Sequence, residues 1–382
     1  MGKEALRSRF LGCVVGSAIG DALGAPLELW DKERVAQHPQ GTDWIEDLLP
    51  FVGRKKSPLG IWRDDPPRGT ATDDTRLNQV FLEACVKYGS LLNSKLLAAE
   101  YVDRYVNRDR YFPGYHDLAT RQFALFFAIA CGVLEVDCPI LPGVPAYALR
   151  STAHGRDRPS LIGVYTMHLA GLLHPGDPEA AYRHAYELSY ADIGYARDAT
   201  ALLAAIQAAA LDENLSPRSA IRGALGLDPF RFGEGQSGSL APWTPRTMVE
   251  RIGHFLDLAD RAQTDRDLVL MLSREVTGLA RFDPIDAVGF PVACCYRADG
   301  DPRRAMLMAV NDRYLDDRGE FVGYRDIDCT GSIAGSLAGA MAGIEAFPPE
   351  WVSSVVQANR EVYGFDVEAS ANQLYDAIVT RS

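Results

Sequence analysis

Apolar residues recur near a period of 3.6 along most of this chain, and that period predicts helices. They are expected over residues 4–24, 74–88, 94–107, 119–135, 159–173, 178–189, 196–212, 246–262, 266–280, 284–298 and 301–311. A further helix follows Asp326-Ile327-Asp328. Residues 25–69 read as irregular and rich in Pro, Gly and Trp, and a loop that long is more often functional than accidental. Residues 213–245 are the least regular stretch. Their Gly233-Glu234-Gly235-Gln236-Ser237-Gly238-Ser239 lacks the Lys-Ser/Thr ending of a phosphate loop, so it reads as an exposed connection. Neither alternating strands nor a 20–50-residue repeat stands out, and no Pro/Ser-rich linker divides the helices. The expected fold is all-α: one large orthogonal helical bundle over residues 1–382.

Two of these helices carry an unusual stripe. Glycines 12, 16, 20 and 24 recur every four residues in one, and glycines 331, 335, 339 and 343 in the other. Gly inside a helix costs about 1 kcal/mol against Ala, so four in register call for a close neighbour. Two such helices can cross with their backbones nearly touching. The second is too short to span a membrane and is flanked by Asp326, Asp328 and Glu345.

Chemistry gathers at two helix starts. Thr70-Ala71-Thr72-Asp73-Asp74-Thr75-Arg76 follows a turn-rich segment and precedes an apolar helical run. Thr72 or Asp73 is a natural N-cap, with Asp74 in the first turn. Acids there also stabilise the positive end of a helix dipole, with no further role. The second start, Asp326-Ile327-Asp328-Cys329-Thr330, again carries an acid pair and a hydroxyl. Should the two starts meet, like charges would raise one another's pKa. A hard divalent cation would relieve the conflict. Oxygen ligation without histidine suits Mg²⁺ or Mn²⁺, as one ion or as a two-metal cluster.

Composition narrows the classes. The chain is 47% apolar and 24% charged, an ordinary globular balance. A net charge of -12 argues against general nucleic-acid or anionic-membrane binding. The cysteines at 13, 85, 131, 138, 294, 295 and 329 lack any C-x-x-C spacing, which fits reduced thiols in the cytoplasm. Lys3, Arg7 and Arg9 precede an apolar run as in a secretory leader, but Glu4, Asp21 and the glycine stripe belong to a packed helix. No other stretch reads as about 18 apolar residues, the length of a membrane span.

Three stretches in this order resemble the ADP-ribosylglycohydrolase family, which includes the dinitrogenase-reductase-activating glycohydrolases. They are Gly12 through Glu28, then Thr72-Asp73-Asp74-Thr75, then Asp326-Ile327-Asp328 before the Gly/Ala/Ser helix. Ala170 through Pro178 and Ala309-Val310-Asn311 are weaker matches. The resemblance implies an all-α bundle with a dinuclear Mg²⁺ or Mn²⁺ centre between helix N-termini. By position, Thr72, Asp73, Asp74, Asp326, Asp328, Cys329 and Thr330 match its metal-binding positions, and Glu28 an acid near its active site. The implied reaction is hydrolysis of an ADP-ribosyl bond, on a modified protein or a small molecule, with Asp73 or Asp74 deprotonating water.

Four departures mark this chain. Cys329 stands where the family commonly has Ser or Thr, and a thiol is a poor Mg²⁺ ligand, which leaves the position to water or to Thr330. Residues 312–325 are inserted before the second acid pair, with Asp316-Asp317 expected in solvated loop. Arg158-Pro159-Ser160-Leu161-Ile162-Gly163-Val164-Tyr165 replaces a glycine-rich Met-Arg segment, and Leu188-Ser189-Tyr190-Ala191-Asp192 stands where a His often follows. The metal frame reads as intact and the substrate walls as rebuilt. His154, His168, His174 and His184 read as core or surface residues, while Tyr190 and Tyr195 are candidates for stacking on a substrate base. The alternatives are a relative that binds an ADP-ribosyl or nucleoside ligand without turnover, and a purely structural scaffold.

Overall fold

The computed structural model of the chain describes residues 2–150, 161–231, 246–279 and 282–380. It is all-α, and among the described residues the only strands form one two-stranded hairpin. The two glycine-striped helices, Lys3–Gly24 and Ile327–Ala342, are its central pair. They run antiparallel: Gly12 lies on Gly339, Gly16 on Gly335, Gly20 on Gly331, and Gly24 on Ile327 and Asp328. A Cβ at Gly12 would sit 2.8 Å from the Gly339 carbonyl oxygen, and one at Gly20 would overlap the Gly331 carbonyl. Glycine is required because backbone packs on backbone.

The antiparallel register has a consequence for position. The end of the first helix arrives at the start of the second, so Asp21 and Glu28 reach the neighbourhood of Asp326 and Asp328. The helix Asp73–Tyr88 brings its own start to the same point. One continuous core surrounds this centre. Within it Arg76 is fully buried, its guanidinium over Trp62 at 4.3 Å and over Tyr363 at 4.8 Å.

Several expectations need correction. Residues 312–325, read without strands, form the antiparallel hairpin Arg313–Leu315 and Phe321–Tyr324, pairing Arg313 with Tyr324 and Tyr314 with Gly323. Its turn exposes Asp316 and Asp317, as expected, and the Asp316 carboxylate accepts from the Arg318 and Glu320 N–H groups. Hairpins depend on pairing that a short period-2 pattern barely signals. The helix expected at 159–173 is two pieces, Ile162–Met167 and Ala170–Leu173. The stretch 213–245 contains the helix Pro217–Leu225, announced by the Ser216 cap and by Pro217. The irregular 25–69 contains the short helix Lys32–Gln37, capped by Asp31. The helix at 284–298 opens with a π-helical turn, Ile285–Gly289. His116–Leu134 is long and apolar enough to cross a membrane by length and composition, contrary to expectation, although 56% of it is buried in the bundle. Gly233 to Ser239, His154 and the first three residues of the Arg158–Tyr165 replacement lie outside the described residues.

Candidate metal centre

The two acidic helix starts meet. The Thr72 hydroxyl donates to Asp328 Oδ2 at 3.1 Å, which joins positions 256 residues apart. One ligand oxygen from each of Glu28, Asp326 and Asp328 falls within 4.8 Å of the others. Asp73 and Asp74 face the same cluster, since their charges act on Asp326, Asp328 and Glu28 or are acted on by them. Asp74 and Asp328 are buried, whereas Glu28, Asp73 and Asp326 are half-buried.

Local structure explains the arrangement. Thr72 holds the N-cap position with extended backbone, but its hydroxyl does not cap. Asp21 caps instead: its carboxylate accepts from the Thr72 N–H at 2.9 Å, the Thr75 N–H at 3.1 Å and the Thr75 hydroxyl at 2.6 Å. The first glycine helix therefore caps the Asp73–Tyr88 helix, and Thr72 is freed to face Asp328. Sequence reasoning missed Asp21 as a site residue. Its signal was present, because a lone acid inside a bare glycine helix is buried and must find donors.

The charges are poorly relieved. Burial, then the neighbouring Asp328, raises Asp21 to about 7. Burial raises Asp73 to about 7 despite the Arg76 guanidinium behind it. Asp74 and Asp326 are pushed well above the ordinary carboxylate range by burial and then by Asp328 and the other acids. Glu28 is raised by burial and Asp328 against the opposing pull of Arg54, and Asp328 by burial. Asp74 Oδ1 is buried with no hydrogen-bond partner. Oxygen donors, an unsatisfied carboxylate oxygen and unrelieved repulsion fit a hard divalent cation. Glu28, Thr72, Asp73, Asp74, Asp326 and Asp328 are the residues that would hold it.

Two matched positions stand differently. The Thr330 hydroxyl donates to the Ala309 carbonyl at 3.1 Å and lies near that of Asp326 at 3.3 Å, so it is held by backbone. Cys329 is buried beside the acids, and burial followed by Asp74, Asp326, Asp328 and Asp21 pushes its thiol well up. Its backbone N–H supports Asp328 Oδ1 at 2.9 Å. Glu28 lies in the carboxylate cluster itself, beyond its expected place near the active site. His168 is fully buried between the glycine helices, within 2.7 Å of the Ser17 hydroxyl and 3.2 Å of that of Ser332. His174 and His184 bond to each other at 2.8 Å, away from the acids. The Tyr195 hydroxyl donates to Asp283 at 3.1 Å, and Tyr190 packs against the core.

The family model of the ADP-ribosylglycohydrolases matches residues 2–382. The chain belongs to the ADP-ribosylglycohydrolase family. A solved structure described as an ADP-ribosylglycohydrolase-related protein complex shares its fold, with a TM-score of 0.58 and 20% identity. That likeness covers 98% of this chain and 100% of the other. Among curated proteins, the uncharacterized protein YegU of Escherichia coli (strain K12) is 32% identical over 95 residues. The match covers 25% of this chain and 26% of that relative, about a quarter of each. An acidic cluster able to hold a metal sits where three helix ends converge.

Proposed function

We propose that this ADP-ribosylglycohydrolase is a hydrolase dependent on Mg²⁺ or Mn²⁺, using two ions. It releases ADP-ribose from a modified protein or from an ADP-ribose-containing small molecule. The observation that carries the reading is the convergence of Glu28, Asp326 and Asp328 with the Thr72-Asp73-Asp74 start at one half-open site. Divalent ions, when bound, supply positive charge that holds ribose hydroxyls and makes a water more acidic. Asp73 is the more accessible base, being half-buried where Asp74 is buried. Asp73 takes a proton from water as the water oxygen forms its bond to the anomeric carbon. The glycosidic C–N or C–O bond breaks with its electron pair leaving on the acceptor atom, which takes up a proton from solvent, and Asp73 then returns to solvent the one it took from the water. The transition state resembles an oxocarbenium ion, and the surrounding carboxylates stabilise that positive charge. The Arg76 guanidinium, held by Gln122 and the Gly60 carbonyl, opposes the rise that burial imposes on Asp73. Seven free, buried cysteines support a cytoplasmic, reducing setting.

The test is release of ADP-ribose from ADP-ribosyl-arginine and ADP-ribosyl-serine, with and without Mg²⁺ or Mn²⁺. Metal-dependent release that disappears in Asp73→Asn and Asp328→Asn is expected; full activity in either variant defeats the mechanism. A second reading, ligand binding without efficient turnover, is favoured by Cys329, a thiol among hard-metal ligands. Activity that appears only in Cys329→Ser would support that reading over the first.

A further inference from the structure

Glu28 is the one carboxylate of the cluster carried by a turn rather than by a helix start, so something else must fix it. Two devices do so. The turn is stitched to the hairpin: the Leu29 N–H donates to the Arg325 carbonyl at 3.1 Å and the Tyr324 N–H to the Trp30 carbonyl at 2.9 Å. An isolated bridge pairs Asp31 with Gly323. These bonds hold the backbone only. The side chain is held by Arg54, whose Nη2 donates to Glu28 Oε2 at 2.6 Å while Nη1 donates to the Glu28 carbonyl at 3.2 Å. Each partner's side chain is only 15% exposed.

We propose that Arg54 is the positioning residue of the metal centre, a clamp that fixes Glu28 so that its carboxylate is presented to the ion beside Asp326 and Asp328. The inference rests on the metal reading above. A planar guanidinium can grip a carboxylate and a carbonyl at once; an ammonium, as a point donor, cannot hold both in a fixed plane. A free glutamate would lose side-chain rotamer freedom each time it ligated, and the clamp removes that cost in advance.

Arg54 is itself tied down. Its N–H donates to Asp65 Oδ1 at 2.9 Å, and the Asp65 N–H returns to the Arg54 carbonyl at 3.2 Å. The Lys56 N–H to Asp64 and the Ser57 N–H to Ile61 close the loop between them, at 2.7 and 2.8 Å. Residues 66–71 then run directly into Thr72. One closed loop thus links the clamp on Glu28 to the other acidic start.

Calorimetric titration of the full chain with MnCl₂ tests this without relying on turnover. Arg54→Ala is expected to weaken Mn²⁺ binding by about tenfold or more, the range for groups that orient metal ligands, with circular dichroism unchanged. Arg54→Lys should recover part of the loss. Asp65→Ala, which loosens the loop and touches no carboxylate of the centre, should weaken binding by less. In a Glu28→Gln background, Arg54→Ala should add little, because the clamp acts through Glu28. Wild-type affinity in Arg54→Ala overturns the proposal, as does a loss that persists undiminished in the Glu28→Gln background. Tighter binding also overturns it and makes the guanidinium a competitor of the ion. A wild-type chain that binds no Mn²⁺ defeats the metal reading itself, whereas normal wild-type binding with no Arg54 effect defeats this inference alone.

Discussion

The floor and the wall of the centre are built on opposite principles. The floor, where Lys3–Gly24 lies on Ile327–Ala342, is backbone against backbone, with glycine at every crossing position. The wall, made of the Glu28 turn, the Arg54 loop and the hairpin, is joined by individual hydrogen bonds between irregular segments. Excluded volume tolerates no added atom, whereas single hydrogen bonds can be lost one at a time. A change in the floor should therefore cost the fold, and a change in the wall should cost the site.

The largest effect is expected from Gly20→Val, whose side chain would overlap the Gly331 carbonyl. Thermal melting should show a loss of about 3 kcal/mol or more, at or beyond the usual range for overpacking, with metal binding lost alongside. A variant that melts like the wild type would show the floor to be as forgiving as the wall.

Next in size is a reversal with pH. In the metal-free protein Asp21 and Asp73 titrate near about 7, against an ordinary 3.8. Between those values the folded state binds more protons than the unfolded one. The stability these acids contribute is present at low pH and falls as pH rises through about 7. Melting across pH 5 to 8, a window of roughly that span, should show stability declining without metal. With saturating Mn²⁺ it should increase, because ligation requires the deprotonated acids. Parallel curves would contradict the placement of the ion among these carboxylates.

In the wall, a Cβ at Gly323 would stand 2.7 Å from the Trp30 carbonyl oxygen. Gly323→Ala should disturb the stitch to the Glu28 turn and weaken Mn²⁺ binding by several-fold to about tenfold, with a stability loss of about 1–3 kcal/mol because the neighbour is backbone, still below that of Gly20→Val. Equal losses of fold and site would erase the distinction. The smallest effect is a control. Gly253, in the helix Arg246–Arg261, has nothing within 4 Å of an added Cβ, and Gly253→Ala should stabilise by about 0.5–1 kcal/mol.

The same contrast explains what could be read from the chain. Both glycine stripes and both acidic starts were visible because they are local patterns at helical spacing. The all-α class followed from the periodicity, and the family from motifs in their order. Asp21 stood out only as a buried acid in need of donors; which donors it finds was not visible, since a cap supplied by another helix leaves no mark near Thr72. Arg54 was hidden for a similar reason, being one arginine in an irregular loop whose value depends on a partner 26 residues away. The hairpin escaped because Arg313–Leu315 and Phe321–Tyr324 are short and gain their meaning from Trp30 and Asp31.

The crossing of Gly20 on Gly331 also sets a clock. The partners are separated by about three hundred residues of chain, so a ribosome adding roughly 5–20 residues per second needs about 15 to 60 s between them. Throughout that interval the first helix offers its bare glycine face to whatever is nearby. No nascent chain that stops short of residue 331 can assemble the carboxylate floor. On the metal reading proposed above, capture of the ion is a late event in the life of the molecule, and a loaded site reports that both ends of the crossing were made.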